Sequence, residues 1–226
     1  VTVTVHGVTG NLSAERSFFM AFDGITIAAM VSELNKNLSG GRINKIAQPE
    51  SDELLITGKG ANGQKRLLLS ASASLPLIYF TGKNRISPLT APNFCMLLRK
   101  HIGSARITAI RQPGLERVVE FELEHLNELG DVCHKVLIME LMGKHSNIIF
   151  CDDNNMILDS IKHVSCNVSS VREVLPGRPY FIPHTQDKLD PLTISREDFM
   201  EKVCGRSNAV SKALYQTLTG FSPVMA

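Results

Sequence analysis

The segment Met139–Phe150, MELMGKHSNIIF, crowds a lysine, an imidazole, a hydroxyl and an amide into one corner. Met142-Gly143-Lys144 makes a turn between two apolar runs, and His145, Ser146 and Asn147 follow directly. A plain hairpin needs only the glycine. His145 is a candidate general base, but no carboxylate stands beside it in sequence to orient the ring. The expectation is a histidine that bonds its own loop backbone. Asp159-Ser160-Ile161-Lys162-His163 and Leu175-Pro176-Gly177-Arg178-Pro179-Tyr180 are two further polar or turn-rich segments.

Other motifs exclude chemistry. Gly58-Lys-Gly60-Ala-Asn-Gly63 fits G-x-G-x-x-G, which binds phosphate only when a helix follows. Here the strand-like Gln64-Lys-Arg-Leu-Leu-Leu-Ser70 follows, so a hairpin turn is expected. The chain has no G-x-x-x-x-G-K-[ST], no G-x-S-x-G and no H-E-x-x-H. Cys95, between Phe94 and Met96 on a helical stretch, reads as a buried thiol. Glu120, Glu122 and Glu124 alternate with apolar residues and predict a solvated strand face.

Charge is unevenly distributed. From Thr81 to Arg117, seven cations (Lys83, Arg85, Arg99, Lys100, Arg106, Arg111, Arg117) stand against Glu116 alone. Val118–Asp131 carries five acids and no Lys or Arg. Two readings stay open: a basic surface suited to phosphates, or charges scattered over several faces by strand alternation. Aromatics are sparse in the basic window, so phosphate and shape contacts are better supported than base stacking.

These residues need elements to position them. Ile27, Met30, Val31, Leu34 and Leu38 form a helical stripe, with Asp23 placed to cap it and Gly40-Gly41 to stop it. A second helix is predicted over 92–102. Strands are predicted over 42–48, 53–57, 66–72, 77–80, 105–111, 117–125, 133–141, 147–151 and 156–161. The segment 195–219 reads as helical. Strands in close succession predict an α+β fold, mainly antiparallel sheet with flanking helices, and no doubly wound sheet.

The chain has 226 residues, 43% hydrophobic and 20% charged, enough to bury a core. A net charge of +2 by itself argues for no partner. Five cysteines, with no C-x-x-C pair, predict buried free thiols and neither zinc nor a disulfide framework. No apolar run is long enough to span a membrane, and the start is not a secretory signal. Residues 1–19 are expected to be a non-native or read-through leader, with Met20 as the start.

The separated motifs Phe22-Asp23-Gly24, Gly41-Arg42-Ile43, Phe94–His101, Glu140–Asn147, Asp159–His163 and Leu175-Pro-Gly177 resemble, in this order, the N-terminal domain of the NFACT family. These are the fibronectin-binding-protein-A-like, Rqc-type ribosome quality-control proteins. The resemblance covers about residues 20–226. It implies an α+β unit like the N-terminal domain of formamidopyrimidine-DNA glycosylases over 20–205, then a truncated helix-hairpin-helix-like module from 206 to 226. It implies a cytoplasmic, non-enzymatic RNA-binding domain, without cofactor, metal or small-molecule substrate. The implied partners are tRNA and the large ribosomal subunit with its rRNA, and the implied outcome is C-terminal tailing of stalled chains. Fibronectin is the partner in the alternative, adhesin reading.

The implied RNA contacts are Asp23, Glu116 and Arg117, with Arg99, Lys100, Lys144 and His145 in support. Three departures stand out. Met20-Ala21-Phe22-Asp23 lacks the proline and glutamate of the glycosylases. Glu116-Arg117 stands where the family carries Asp-Arg, and Lys144 where Arg is frequent. Lysine cannot reproduce arginine's bidentate fork.

Overall fold

The computed structural model describes residues 22–183 and 187–226, so the expected leader 1–19 lies outside the described residues. Helix α1 (Gly24–Leu38) begins as its sequence dictates. The Asp23 carboxylate accepts the Thr26 backbone N–H at 2.9 Å, which satisfies one of the orphan donors of the first turn. Ile27, Leu34 and Leu38 line the buried face. Burying each of them stabilises the fold by roughly 1.5–3 kcal/mol. Four strands follow: β1 (Arg42–Ala47), β2 (Glu53–Gly60), β3 (Gly63–Ser70) and β4 (Leu77–Phe80). The glycine-rich segment is the β2–β3 hairpin turn, with Gly63 at φ +86°, a left-handed conformation that favours glycine.

Helix α2 (Asn93–Ile102) leads into β5 (Arg106–Arg111), β6 (Val118–Leu126), β7 (Val132–Glu140), β8 (Asn147–Asp152) and β9 (Ile157–Ser160). The strands join one antiparallel sheet in the order β4-β3-β2-β1-β5-β6-β7-β8-β9. This is an α+β fold with a large antiparallel sheet. The sheet curls around one core, because Leu67 of β3 and Leu137 of β7 line the same interior gap. Its two ends also meet through Lys162. The Lys162 Nζ donates to the Ala71 carbonyl after β3 and, at 3.1 Å, to the Ser146 carbonyl before β8.

The polar corner that stands out in the sequence is therefore largely architectural. Ser146 Oγ accepts the Met142 N–H at 2.9 Å. Asn147 brackets Lys162, taking its N–H at 3.1 Å and donating to its carbonyl at 2.9 Å. Asp159 pairs with His163 at 2.6 Å. Glu140 is wholly buried and bound by Arg172 and Tyr180. His145 departs from expectation. Its backbone N–H bonds Met142, but its exposed ring makes no hydrogen bond among the described residues.

The outer face of β6–β9 carries Val118, Ile138, Ile149 and Cys151, and Val174, Tyr180 and Ile182 from the following loops pack over it. The chain ends in short helices: α3 (Arg196–Phe199), which continues as a π turn over Met200–Cys204, and α4 (Val210–Thr217). Val203, Ala213 and Leu218 share one cluster with Leu189 and Ile194, across position 205 where the sequence places a boundary.

All five cysteines are free, yet only Cys95 and Cys151 are buried, and Cys166 and Cys204 are exposed. Burial pushes the Cys151 thiol up to about 12, and burial likewise raises Cys95. A thiolate is the reactive form. In the native protein, an aromatic disulfide reagent at mildly alkaline pH should therefore label Cys166 and Cys204 and spare Cys95 and Cys151 until denaturant is added. Native labelling of Cys151, located by peptide mass, would contradict the packing described.

Candidate functional site

The start of α1 does not stand alone. The Asp23 carboxylate spends one oxygen on the Thr26 N–H and accepts the Ser222 hydroxyl on the other at 2.7 Å. A helix cap is thus fastened to a turn 199 residues away. Gln112 adds a second tie, donating through Nε2 to the carbonyls of Gly24 and Glu116, both at 2.8 Å. Gly24 and Gly220 let three backbones approach closely. A Cβ on Gly24 would stand 2.0 Å from the Leu115 carbonyl oxygen and 2.6 Å from the Gly220 Cα.

These ties frame a cleft of about 430 Å³. Phe22, Asp23 and Gly24 form one wall, Leu115–Arg117 a second, and Lys188 with Thr219–Pro223 a third. Arg117 is exposed, while Glu116 and Lys188 are half-buried. Burial and the neighbouring Arg117 pull the Lys188 ammonium below the ordinary lysine range, and Glu116 acts the other way. The lining balances two cations, Arg117 and Lys188, against two carboxylates, Glu116 and Asp23, and the Asp23 carboxylate is engaged by Thr26 and Ser222. The guanidinium offers a planar fork for phosphate and the ammonium a compact charge. Glu116 can accept a hydroxyl.

Of the sequence-predicted site, the cleft gathers Asp23, Glu116 and Arg117. Arg99, Lys100, Lys144 and His145 lie outside its lining. Arg99, Lys100, Lys144 and His145 are all exposed, and Arg99 also donates through Nε to the Ile46 carbonyl at 2.8 Å. Both Asp23 oxygens are engaged internally, which leaves its carboxylate a structural pin. Sequence reading missed Lys188, Gln112 and Ser222. Their isolated positions carry no local signal, although the Thr-Gly-Phe-Ser-Pro turn at 219–223 marks where the chain could fold back.

The basic window does not survive folding as one patch. Arg85 pairs with Glu53 at 3.3 Å and Arg111 with Glu122 at 3.0 Å. Arg106 lies opposite Glu124 in the β5–β6 ladder, and Arg111 opposite Glu120. The acidic strand face is accordingly half-buried and partnered, not simply solvated. Burial, then the neighbouring Glu122, raises the Glu120 carboxyl against the pull of Arg111.

Residues 23–226 match the family described as NFACT N-terminal and middle domains. The chain belongs to the NFACT family. Among NFACT relatives, the Rqc2 homolog RqcH of Bacillus subtilis (strain 168) is 40% identical over 210 residues, covering 92% of this chain and 36% of that protein. The ribosome quality control complex subunit NEMF of Homo sapiens is 26% identical, over 77% of this chain and 15% of that protein. The chain spans about a third of the length of the RqcH relatives it matches.

The crystal structure of the N-terminal domain of fibronectin-binding protein PavA from Streptococcus pneumoniae superposes with a TM-score of 0.83 at 36% identity. That match covers 91% of this chain and 77% of the PavA domain. The names of the curated relatives place this NFACT domain in a family of ribosome quality-control factors. Among the described residues, no cluster of His, Cys, Asp or Glu could hold a metal ion. Among the same residues, no helix is long and apolar enough to cross a membrane.

Proposed function

We propose that this chain is the RNA-gripping part of a cytoplasmic, non-enzymatic ribosome quality-control factor. It binds tRNA and the obstructed large ribosomal subunit and so supports C-terminal tailing of the stalled chain. The observation that carries this reading is the cleft, where Arg117 and Lys188 flank Glu116 on a floor pinned by Asp23 and Ser222. Arg117 grips phosphate through its fork, Lys188 adds a point charge, and Glu116 orients Arg117 or accepts a ribose 2′-hydroxyl. Asp23 acts by holding the wall in place. Lys100, Lys144 and His145 are exposed supporting contacts beyond the cleft, and Arg99 lends its charge from beside Ile46. Residues 206–226, with the packing partners before them, begin a helical module.

The test is a salt titration of tRNA binding with wild type, Arg117→Ala and Arg117→Lys, on this chain and the full-length protein in parallel. Phosphate contacts release counterions, so affinity falls as salt rises. Loss of a charge-assisted fork should weaken binding about tenfold to a hundredfold. Arg117→Lys should weaken it comparably, since the charge remains and the fork is lost. Full-length binding indifferent to salt and to Arg117 would overturn the reading and favour the fibronectin-binding one, which the name of the Streptococcus pneumoniae domain suggests.

A further inference from the structure

The outer face of the sheet is covered over β6–β9 by the loop residues around Val174 and Tyr180, and is buried over β1–β3 at Ala47, Leu55 and Leu68; it is exposed at the end of β1, β2 and β5 that carries Arg42, Lys59 and Arg106. These cations stand in register. Arg42 lies directly opposite Lys59 on one side and Arg106 on the other. Residues directly opposite in antiparallel strands share a face, with Cα atoms roughly 4.5–5.5 Å apart. Ile43, Ile56, Leu67 and Ile107 point into the core, so by alternation Arg42, Lys59, Arg66 and Arg106 point away from it. Lys45 adds a second row through Thr57 to Arg66.

Arg42, Lys45, Lys59 and Arg106 are exposed, and among the described residues none of them enters an ion pair. Like charges placed directly opposite destabilise a sheet. Glu124, opposite Arg106 on β6, offsets the charge at that end of the row, which leaves Arg42 against Lys59 as the like-charged pair whose cost a polyanion would relieve. The side chains between them are Asn44, Thr57, Gln64 and Thr108, and the one exposed aromatic on this face among the described strands, Tyr79, stands apart on β4. An acidic peptide would want an apolar anchor, and stacked bases would want aromatic rings. A regular array of phosphates needs neither.

We infer that this face is a second binding surface, which takes the phosphate backbone of double-helical RNA. The inference rests on the proposed function for its class of partner, but not on the cleft. Arg106 faces Glu124, seven residues along the strand direction from Arg117. That is about 23 Å at the rise of a strand. Backbone and shape recognition is the usual mode for duplex RNA.

The experiment measures binding of a loop-free RNA duplex, and separately of tRNA, by the 226-residue chain across a salt series. Combined Arg42→Gln, Lys59→Gln and Arg106→Gln should make the slope of log affinity against log salt shallower by about two to three. Duplex affinity at low salt should fall about tenfold or more. Combined Arg42→Lys and Arg106→Lys keeps the charges and should keep the slope, which also guards against loss through misfolding. Arg117→Ala is measured on tRNA in parallel and reports on the cleft, so that failure of the cleft reading and failure of this one are told apart. The inference is overturned by a wild-type slope in the Gln variant, by absent duplex binding in wild type, or by polyglutamate competing as well as RNA.

Discussion

Arg172→Ala should destabilise the protein by about 3–5 kcal/mol, because it strands a buried carboxylate. Glu140 is wholly buried at the end of β7. Arg172 Nη2 donates to both its oxygens, at 2.6 and 2.5 Å, and Nη1 reaches the Phe181 carbonyl at 2.5 Å. Tyr180 donates its hydroxyl to Glu140 at 3.0 Å, and the guanidinium stands 5.5 Å from the centre of the Tyr180 ring. Burial works against the Arg172 charge, and Glu140 more than offsets it. Burial, then the Glu140 charge, also holds the Tyr180 phenol well above its ordinary range, so it stays a donor.

Removing the pair should be milder than breaking it. Glu140→Leu with Arg172→Met should recover much of the loss, since two desolvation penalties vanish together. The comparison is made by urea denaturation. A loss below about 1 kcal/mol for Arg172→Ala would mean that water reaches Glu140 in place of the guanidinium, contrary to its burial. The loop that this cluster fastens runs on to Pro183 at the rim of the cleft. Weaker tRNA binding by the single variant should therefore accompany its loss of stability.

Gly24→Ala should cost about 3 kcal/mol or more, the upper end of the overpacking range, although alanine normally favours a helix. The new methyl would meet the Leu115 carbonyl oxygen at 2.0 Å and the Gly220 Cα at 2.6 Å, and both are backbone atoms. No rotamer change can relieve such a clash. Either α1 lifts from Leu115, or the turn at Gly220 moves and breaks the bond between Asp23 and Ser222. Both routes widen the cleft. Urea midpoints measure the cost, and an unchanged or raised midpoint would show that the three backbones are not in contact. Accessibility of Phe221 to solvent should rise together with the loss.

Much of the secondary structure is legible in the residues because its causes are local. Asp23 caps α1 since its short carboxylate reaches the Thr26 N–H three residues on. Pro92 opens α2, and Gly63 at φ +86° turns the β2–β3 hairpin, by their own backbone preferences. Alternation in Val119–Glu124 sets β6, where apolar residues pack against one face only. The membership of the NFACT family was also legible, in six motifs kept in order. Gly24, Glu140, Asn147 and Lys162 within those motifs serve the joints of the fold, as the core ties and close approaches show.

Register and closure were not legible. Strand period tells which residues share a face, but pairing across the sheet decides which charges meet. Arg111 and Glu122 are neutral together only because β5 and β6 pair as they do, and Arg42, Lys59 and Arg106 stand in a row for the same reason. One linear cluster of cations was thus split between ion pairs, a cleft and a sheet face. The cleft itself joins Asp23 to Ser222 and brings Lys188 to Arg117, contacts between residues far apart in the chain. Such contacts follow from the folding back of whole elements, and no local preference of a residue encodes them.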